Sequence, residues 1–250
     1  MAEIKLSEYA LIGNSRSAAL VSHNGSIDWC CIPEFDSSSI FASILDSRKG
    51  GFFSIAPVPP FRSVQSYLSE TNVAETYFTT DEGEVRLWDA FTVMDEEEKT
   101  RALFPDHEIL RIIEGVSGTV RVKFEYMPKT FYGKNTPHLR DSKKLGINFS
   151  WKGHYFNLLT TLPPSMISIS DERSMAQAEF EVKKGERVIF SLSYSNQGPA
   201  VLPELHATGY KRMLNTINFW KNWLDKCTYD GLYKEHVKRS ALALKLLTYA

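Results

Sequence analysis

Arg16, Asp28, Trp29 and Asp36 stand out among the first 40 residues as polar and aromatic groups that strand pairing does not require. Together with Glu34 they bring carboxylates, a guanidinium and an indole into a short stretch of chain. Two carboxylates held across a pocket can divide acid and base work, one protonated to donate and one ionised to activate water. A ring beside charged groups can recognise a polyhydroxylated ligand by stacking and hydrogen bonding. The plainer alternative is structural: Asp28 accepts from backbone amides or Arg16, Trp29 fills a sheet edge, and Asp36 with Ser37 caps a helix.

These residues sit on a hairpin. Ser17 to Ser22 and Ser26 to Ile32 read as strands on either side of Asn24-Gly25, a dipeptide suited to the positive φ angles of a type I′ turn. Pro33 to Ser37 leads away into what reads as a short helix, Ile40 to Leu45.

The other reactive residues assemble no motif. His23, His107, His138, His154, His206 and His236 lack the His-x-His or His-Glu-x-x-His spacing of a zinc site. Asp95 to Glu98 reads as a solvated loop, because consecutive carboxylates splay apart and no glycine-containing calcium loop surrounds them. Cys30 and Cys31 point to opposite faces of one strand, so with Cys227 they read as small buried hydrophobes. Ser15 and Ser17 beside Arg16 form no nucleophile elbow, and Gly13 lacks the further glycines of a phosphate loop. No metal or cofactor is expected.

The formal net charge of -1, with no block of Lys or Arg, removes the electrostatic reason to expect nucleic acid or an anionic membrane as a partner. The charged start, Met1 to Glu8, differs from a signal peptide, and no run approaches the roughly 18 apolar residues of a membrane span. A cytoplasmic location is the expectation.

From about Gly50 to Tyr194 apolar residues alternate with polar ones at the period of antiparallel strands. Val120, Val122, Phe124 and Tyr126 are one such set; Ala178, Phe180 and Val182 are another; Val188, Phe190, Leu192 and Tyr194 are a third. Asp81 to Gly83, Gly115 to Gly118 and Lys183 to Gly185 read as the turns between them. One apolar face repeated over many strands predicts a mainly β fold, a large antiparallel β-sandwich. Trp151, Tyr155 and Phe156 suit a sugar-stacking platform, with core packing the commoner fate of aromatics at strand spacing.

After Pro199 the period changes. Tyr210, Met213, Leu214, Ile217, Trp220, Trp223 and Leu224 recur at helical spacing, predicting a long amphipathic helix from about Glu204 to Lys226 that follows Pro203. A turn at Tyr229 to Gly231 precedes a second helix that ends apolar on almost every side, from Ser240 to Ala250. Such a helix needs cover on several sides, and the expectation is that the chain is truncated from a longer protein; a homodimer, or a helix folded back along the sandwich, would also supply cover.

Several blocks together resemble one family. Gly13-Asn-Ser-Arg-Ser-Ala-Ala-Leu-Val, Asn24-Gly-Ser-Ile-Asp-Trp-Cys-Cys-Ile-Pro, Phe35-Asp-Ser, His107-Glu-Ile-Leu-Arg-Ile-Ile-Glu-Gly-Val-Ser-Gly, Tyr126-Met-Pro-Lys with Phe131-Tyr-Gly, and Trp220-Lys-Asn-Trp with Val237-Lys-Arg-Ser-Ala-Leu-Ala-Leu-Lys are similar to the prokaryotic glucoamylase and trehalase type of glycoside hydrolase family 15. The resemblance implies a β-sandwich at 1–200, a helical linker at 201–230, and at 231–250 the first helix of an (α/α)6 barrel that is otherwise absent. Two barrel glutamates would hydrolyse α-glucosidic bonds with inversion, and they would lie beyond Ala250. The chain is therefore expected to be the non-catalytic N-terminal part of such an enzyme, inactive alone, its α-glucan or trehalose substrate held by the missing barrel. Arg16, Asp28, Trp29 and Asp36 become candidates for the substrate rim or a contact between domains, and the uncovered last helix a candidate for self-association. The competing reading is a free-standing sandwich that binds carbohydrate or a separately encoded catalytic subunit.

Overall fold

The computed structural model describes residues 4–94, 107–172, 174–198 and 204–249. The expected acidic loop Asp95 to Glu98, Pro199 where the period changes, and the expected helix-start proline, Pro203, lie outside the described residues. Among these described residues fifteen strands carry the first part of the fold. They are β1 (Tyr9–Gly13), β2 (Ala18–Ser22), β3 (Ser26–Cys31), β4 (Ser39–Phe41), β5 (Phe52–Pro57), β6 (Arg62–Tyr67), β7 (Ala74–Thr80), β8 (Gly83–Phe91), β9 (Glu108–Met127), β10 (Arg140–Asp141), β11 (Ile147–Trp151), β12 (His154–Thr160), β13 (Ser168–Ser170), β14 (Met175–Lys183) and β15 (Arg187–Ser195). Two helices follow, α1 (Leu205–Leu224) and α2 (Lys234–Leu247).

All pairings between these strands are antiparallel, and β9 organises them. Its first half pairs with β8 on one side and β15 on the other; its second half pairs with β5 and β14. One strand therefore belongs to both layers of the sandwich. The segment Gly115 to Gly118, expected as a turn between two strands, is instead the bend at which β9 passes from one layer to the other. Glycine is required there: a Cβ on Gly115 would lie 2.1 Å from the Lys183 carbonyl oxygen, and Gly118 has φ 65°. Glycines mark a strand reversal and a strand corner with the same composition.

The burial of β9 follows its surroundings. From Val120 onward buried residues alternate with half-buried or exposed ones, the pattern of a sheet covered on one face, whereas Glu108 to Gly115 are buried throughout. The inward side of that first half, with Ile109 and Ile113, joins the main core of Ile12, Val21, Phe53, Phe78, Leu87, Phe124 and Phe190. Its outward side, with Leu110 and Ile112, lies under α1, which sets down Leu205, Met213 and Ile217. These residues recur at helical spacing, and α1 matches its expected span to within two residues at each end.

Helix α2 lies back along the sandwich. Leu242 and Leu246 pack against Trp220 and Leu224 of α1 and against Leu11 and Ala18 of the hairpin strands. Hydrogen bonds fasten it: Ser15 Oγ donates to the Lys245 carbonyl (2.9 Å), the Ser15 amide to the Leu246 carbonyl (3.0 Å), and Asn72 Nδ2 to the Leu242 carbonyl (3.0 Å). Only one stripe is covered, because Leu244 and Leu247 remain 69% and 50% exposed. No helix among the described residues is long and apolar enough to cross a membrane.

Candidate functional site

The expected hairpin forms, with a different turn. Of the turn residues only Gly25 has positive φ (76°), and its amide donates to the Ser22 carbonyl at 2.9 Å. This is a type I turn followed by a left-handed glycine rather than the I′ turn expected from Asn24-Gly25. The glycine is demanded by crowding, since a Cβ would lie 2.3 Å from the Ile55 carbonyl oxygen.

Asp28 owes its position to a bulge. Leu20 pairs with Trp29 while Val21 pairs with Ile27, so Asp28 is the extra residue of β3 and breaks its alternation. Its carboxylate is buried and accepts from Tyr9 Oη (2.9 Å), Ser26 Oγ (2.6 Å) and Ser43 Oγ (2.8 Å). Hydroxyls take the place expected of backbone amides, and they join β1, β3 and the chain after β4. Burial, followed by the charge of Asp28 and the bond to it, pushes the Tyr9 phenol up. A carboxylate saturated by hydroxyl donors acts as a brace.

The segment after β3 departs from expectation. Ile40 to Leu45 is not a helix: Ser39–Phe41 forms β4, paired with β3, and a turn follows. Short apolar runs read alike as strand or helix, and here pairing decides. Asp36 and Ser37 consequently cap nothing. The Ser37 amide donates to the Glu34 carbonyl (3.1 Å), and its hydroxyl accepts from the Glu34 amide (3.0 Å), closing a turn that leaves Glu34 and Asp36 exposed. Burial, with the charge of Asp36 behind it, pushes the Cys31 thiol up to about 11.

Trp29 leads to a feature the sequence did not single out. Its ring lies 6.1 Å from that of Tyr132, Tyr132 is 6.2 Å from Phe131, Phe131 6.1 Å from Trp151, and Trp151 6.4 Å from His154. His154 Nδ1 and Tyr194 Oη, 2.7 Å apart, end the run. Separately, Tyr249 Oη donates to Glu34 Oε1 (3.1 Å). Burial, and then the charge of Glu34, raises the Tyr194 phenol. The charges of Arg16 and Asp36 reach Tyr249 as well, behind the effect of Glu34.

Of the four candidates Trp29 heads the arc; Asp36 lies exposed in the turn after β3, and Arg16 lies between β1 and β2, where its amide donates to Asn14 Oδ1 (3.2 Å). Asp28 stands apart in its hydroxyl network. Phe131, Tyr132, His154 and Tyr194 were not recognised as partners in sequence because β10 to β15 separate them. The available signal was Phe131-Tyr132-Gly133, two large aromatics next to a glycine, outside any strand pattern. Of the aromatics expected as core or platform, Phe156 is buried against Phe149, Tyr155 is 36% exposed, and Trp151 joins the arc. Among the described residues no group of three His, Cys, Asp or Glu side chains could hold a metal ion.

Comparison with known proteins bears on this surface. The profile of the family described as "Trehalase-like, N-terminal" matches residues 2–206. The chain is 30% identical over 249 residues to a trehalase of Thermoplasma volcanium, covering 98% of this chain and 38% of the relative. It is 32% identical over 243 residues to a trehalase of Thermoplasma acidophilum, covering 92% and 38%. With a trehalase of Mycobacterium tuberculosis the identity is 28% over 266 residues, covering 98% and 38%. The chain spans less than two fifths of the length of these relatives.

Proposed function

This chain belongs to the trehalase-like N-terminal family, and from that premise we propose that it serves a polypeptide which hydrolyses the α-glucosidic bond of trehalose. The resemblance read from the sequence holds at the level of a trehalase-like glycoside hydrolase N-terminal domain. The observation that carries the proposal is coverage: relatives named trehalase align with nearly all of this chain and extend well beyond it.

In this reading residues 1–200 are the sandwich, 201–230 a helical linker and 231–250 the first helix of an (α/α)6 barrel. Hydrolysis with inversion needs two carboxyl groups roughly 6.5–9.5 Å apart with water between them. The barrel would provide both. Asp28 does not serve as one of them, because its oxygens are occupied by the three hydroxyls. Arg16, Trp29 and Asp36 would lie on the sandwich side of a contact with the barrel, near the substrate rim. Leu244 and Leu247 of α2 would be covered by barrel helices, or by a second copy when the chain is alone. The site of action would be the cytoplasm, consistent with Cys30, Cys31 and Cys227 being free thiols. Maltooligosaccharides are the substrate class to test beside trehalose.

The test is glucose release. The 250-residue chain should release none from trehalose or maltotriose, and the polypeptide extended along the downstream reading frame should release it from trehalose. Turnover by the 250-residue chain, or none by the extended polypeptide, would overturn the proposal.

A further inference from the structure

Helix α2 does not end by its own means. The last four carbonyls of a helix have no partner within it, and a residue in left-handed backbone just past the end commonly supplies the missing donor. Past α2 stands Thr248, which is extended (φ -77°, ψ 111°). Its hydroxyl reaches the Leu244 carbonyl (2.7 Å) and its amide the Lys245 carbonyl (3.2 Å), and there its reach stops. With 14 residues, of which Leu242 and Leu246 are the buried ones, α2 is also at the length where a helix alone in water is marginal.

The turn between β1 and β2 supplies what is missing. Ser15 is buried there in left-handed backbone, φ 67°, a conformation uncommon for a residue with a Cβ. Asn14 holds it: its Oδ1 accepts from the amides of Arg16 (3.2 Å) and Ser17 (2.9 Å), and its own amide donates to the Ser17 carbonyl (3.1 Å). The turn so made aims the Ser15 amide at the Leu246 carbonyl (3.0 Å) and the Ser15 hydroxyl at that of Lys245 (2.9 Å). Gly13 completes the seat, since a Cβ there would lie 2.6 Å from Leu246 Cδ2. The turn between β6 and β7 grips α2 about one helical turn earlier. Asn72, 1% exposed, donates from Nδ2 to the Leu242 carbonyl (3.0 Å) and accepts on Oδ1 from Arg239 Nη2. Arg239 Nη1 donates to the Thr71 carbonyl (2.7 Å), and its guanidinium lies 4.0 Å from the centre of the Tyr67 ring.

We propose that Ser15 and Asn72 cap α2 in trans: two strand turns of the sandwich supply the left-handed residue and the donors that terminate this helix. Ser15 has the strained backbone of a nucleophile elbow without its chemistry, because its hydroxyl is engaged by the Lys245 carbonyl. The strain serves docking instead. Apolar contact through Leu242 and Leu246 alone would let α2 rotate or slide, since such contact has no direction. Bonds to the Leu242, Lys245 and Leu246 carbonyls admit one register and one end point. The last turn of α2 therefore forms where the sandwich has already shaped Gly13 to Ser15, and the folded sandwich sets the direction in which the chain leaves the helix. This role is independent of the activity proposed above.

Hydrogen exchange of the 250-residue chain, followed amide by amide by NMR, tests the cap. Ser15→Gly keeps the left-handed backbone and removes the hydroxyl. Asn72→Asp keeps the acceptor for Arg239 and removes the donor to Leu242. Val182→Ala is the control, a cavity opened in the main core on β14, outside the α2 cluster. Exchange at the amides of Leu242 to Leu247 should accelerate about 5-fold in Ser15→Gly, the effect of one hydrogen bond, and at least about 10-fold in Asn72→Asp, where a carboxylate oxygen faces the Leu242 carbonyl. In Val182→Ala the same amides should stay within about 2-fold of the parent, because α2 opens locally while the core stays closed. Acceleration below about 2-fold in Ser15→Gly would leave the docking to the two leucines and overturn the cap. Equal acceleration of these amides in Val182→Ala and Ser15→Gly would overturn it too, making Ser15 a contributor to general stability. Ser15→Gly preserves the turn, so it decides the matter if Asn72→Asp does not fold.

Discussion

On the inward face of β9 Arg111 reaches Asp89 and two backbone carbonyls, whereas on the outward face Glu108 meets Arg212 of α1 with several polar atoms left over. The inward pair is fully buried. Arg111 Nε donates to Asp89 Oδ1 (2.6 Å), its Nη2 to Asp89 Oδ2 (3.3 Å) and to the Gly25 carbonyl (2.7 Å), and its Nη1 to the Phe53 carbonyl. The guanidinium also lies 4.7 Å from the centre of the Phe53 ring. On the outward face Glu108 Oε1 accepts from the Ser191 hydroxyl and forms an ion pair with Arg212 Nη1 at 2.8 Å, while Glu108 Oε2 and the three guanidinium nitrogens of Arg212 make no hydrogen bond among the described residues. For both carboxylates burial outweighs the pull of the arginine and raises the pKa. Each pair is therefore held by geometry against a desolvation cost, and the geometry is more complete inside. The difference separates a self-sufficient sandwich from a seam where the helices are joined to it less completely.

Removing one inward partner should have the largest effect. Asp89→Ala leaves Arg111 charged and buried, and urea unfolding should report a loss of about 3–5 kcal/mol. A loss below about 1 kcal/mol would break the comparison. Apolar replacement of both partners sharpens it. Asp89→Leu with Arg111→Met also strips donors from the Phe53 and Gly25 carbonyls, at about 1–3 kcal/mol for each group left unsatisfied. Glu108→Leu with Arg212→Met removes a pair with few other partners, and should stay within about 1 kcal/mol of the parent or exceed it. Equal losses in the two double variants would erase the distinction.

The smallest effect lies at the edge of the same strand. Burial pushes the Glu114 carboxyl up, but bonds from Arg86 (2.8 Å) and Arg187 (3.0 Å) outweigh it and leave the pKa lowered. A lowered carboxyl contributes stability above its unfolded value, near 4.3, and that stability is lost as pH falls through the folded value. Glu114→Gln should therefore lower Tm at pH 7 by a small amount, and the difference from the parent should close as pH falls, flattening the acid side of a plot of Tm against pH. The two arginines are 27% and 36% exposed, so added salt should shrink the difference. An unchanged acid limb would show that the two guanidiniums do not hold Glu114 in solution.

The same two faces of β9 show why part of the fold was legible in sequence. Val120 to Tyr126 alternate because one side is covered, and α1 repeats because one stripe is. Where both sides of β9 are covered, at Glu108 to Gly115, alternation disappears, and glycines at a corner resemble glycines at a turn. The Ile40 to Leu45 segment failed for a related reason: β4 is too short for any period to show. Trp29 was legible as an oddity, but the arc it heads is made by tertiary structure from Phe131, Trp151 and Tyr194. Local patterns carry no record of that meeting. Asp28 gave a true signal of constraint; the constraint is a bulge and its hydroxyl braces.

The crossing of β9 between layers also sets an order of assembly. Its first half cannot be flanked on both sides until β15 is available, and its second half waits for β14. Such pairings join residues far apart in the chain and are slow to form, because loop-closure entropy is lost before contacts repay it. During synthesis the outgoing face and one edge of the longest strand stay open until residues near Ser195 emerge, a window in which chaperone binding or mispairing with another chain competes with folding.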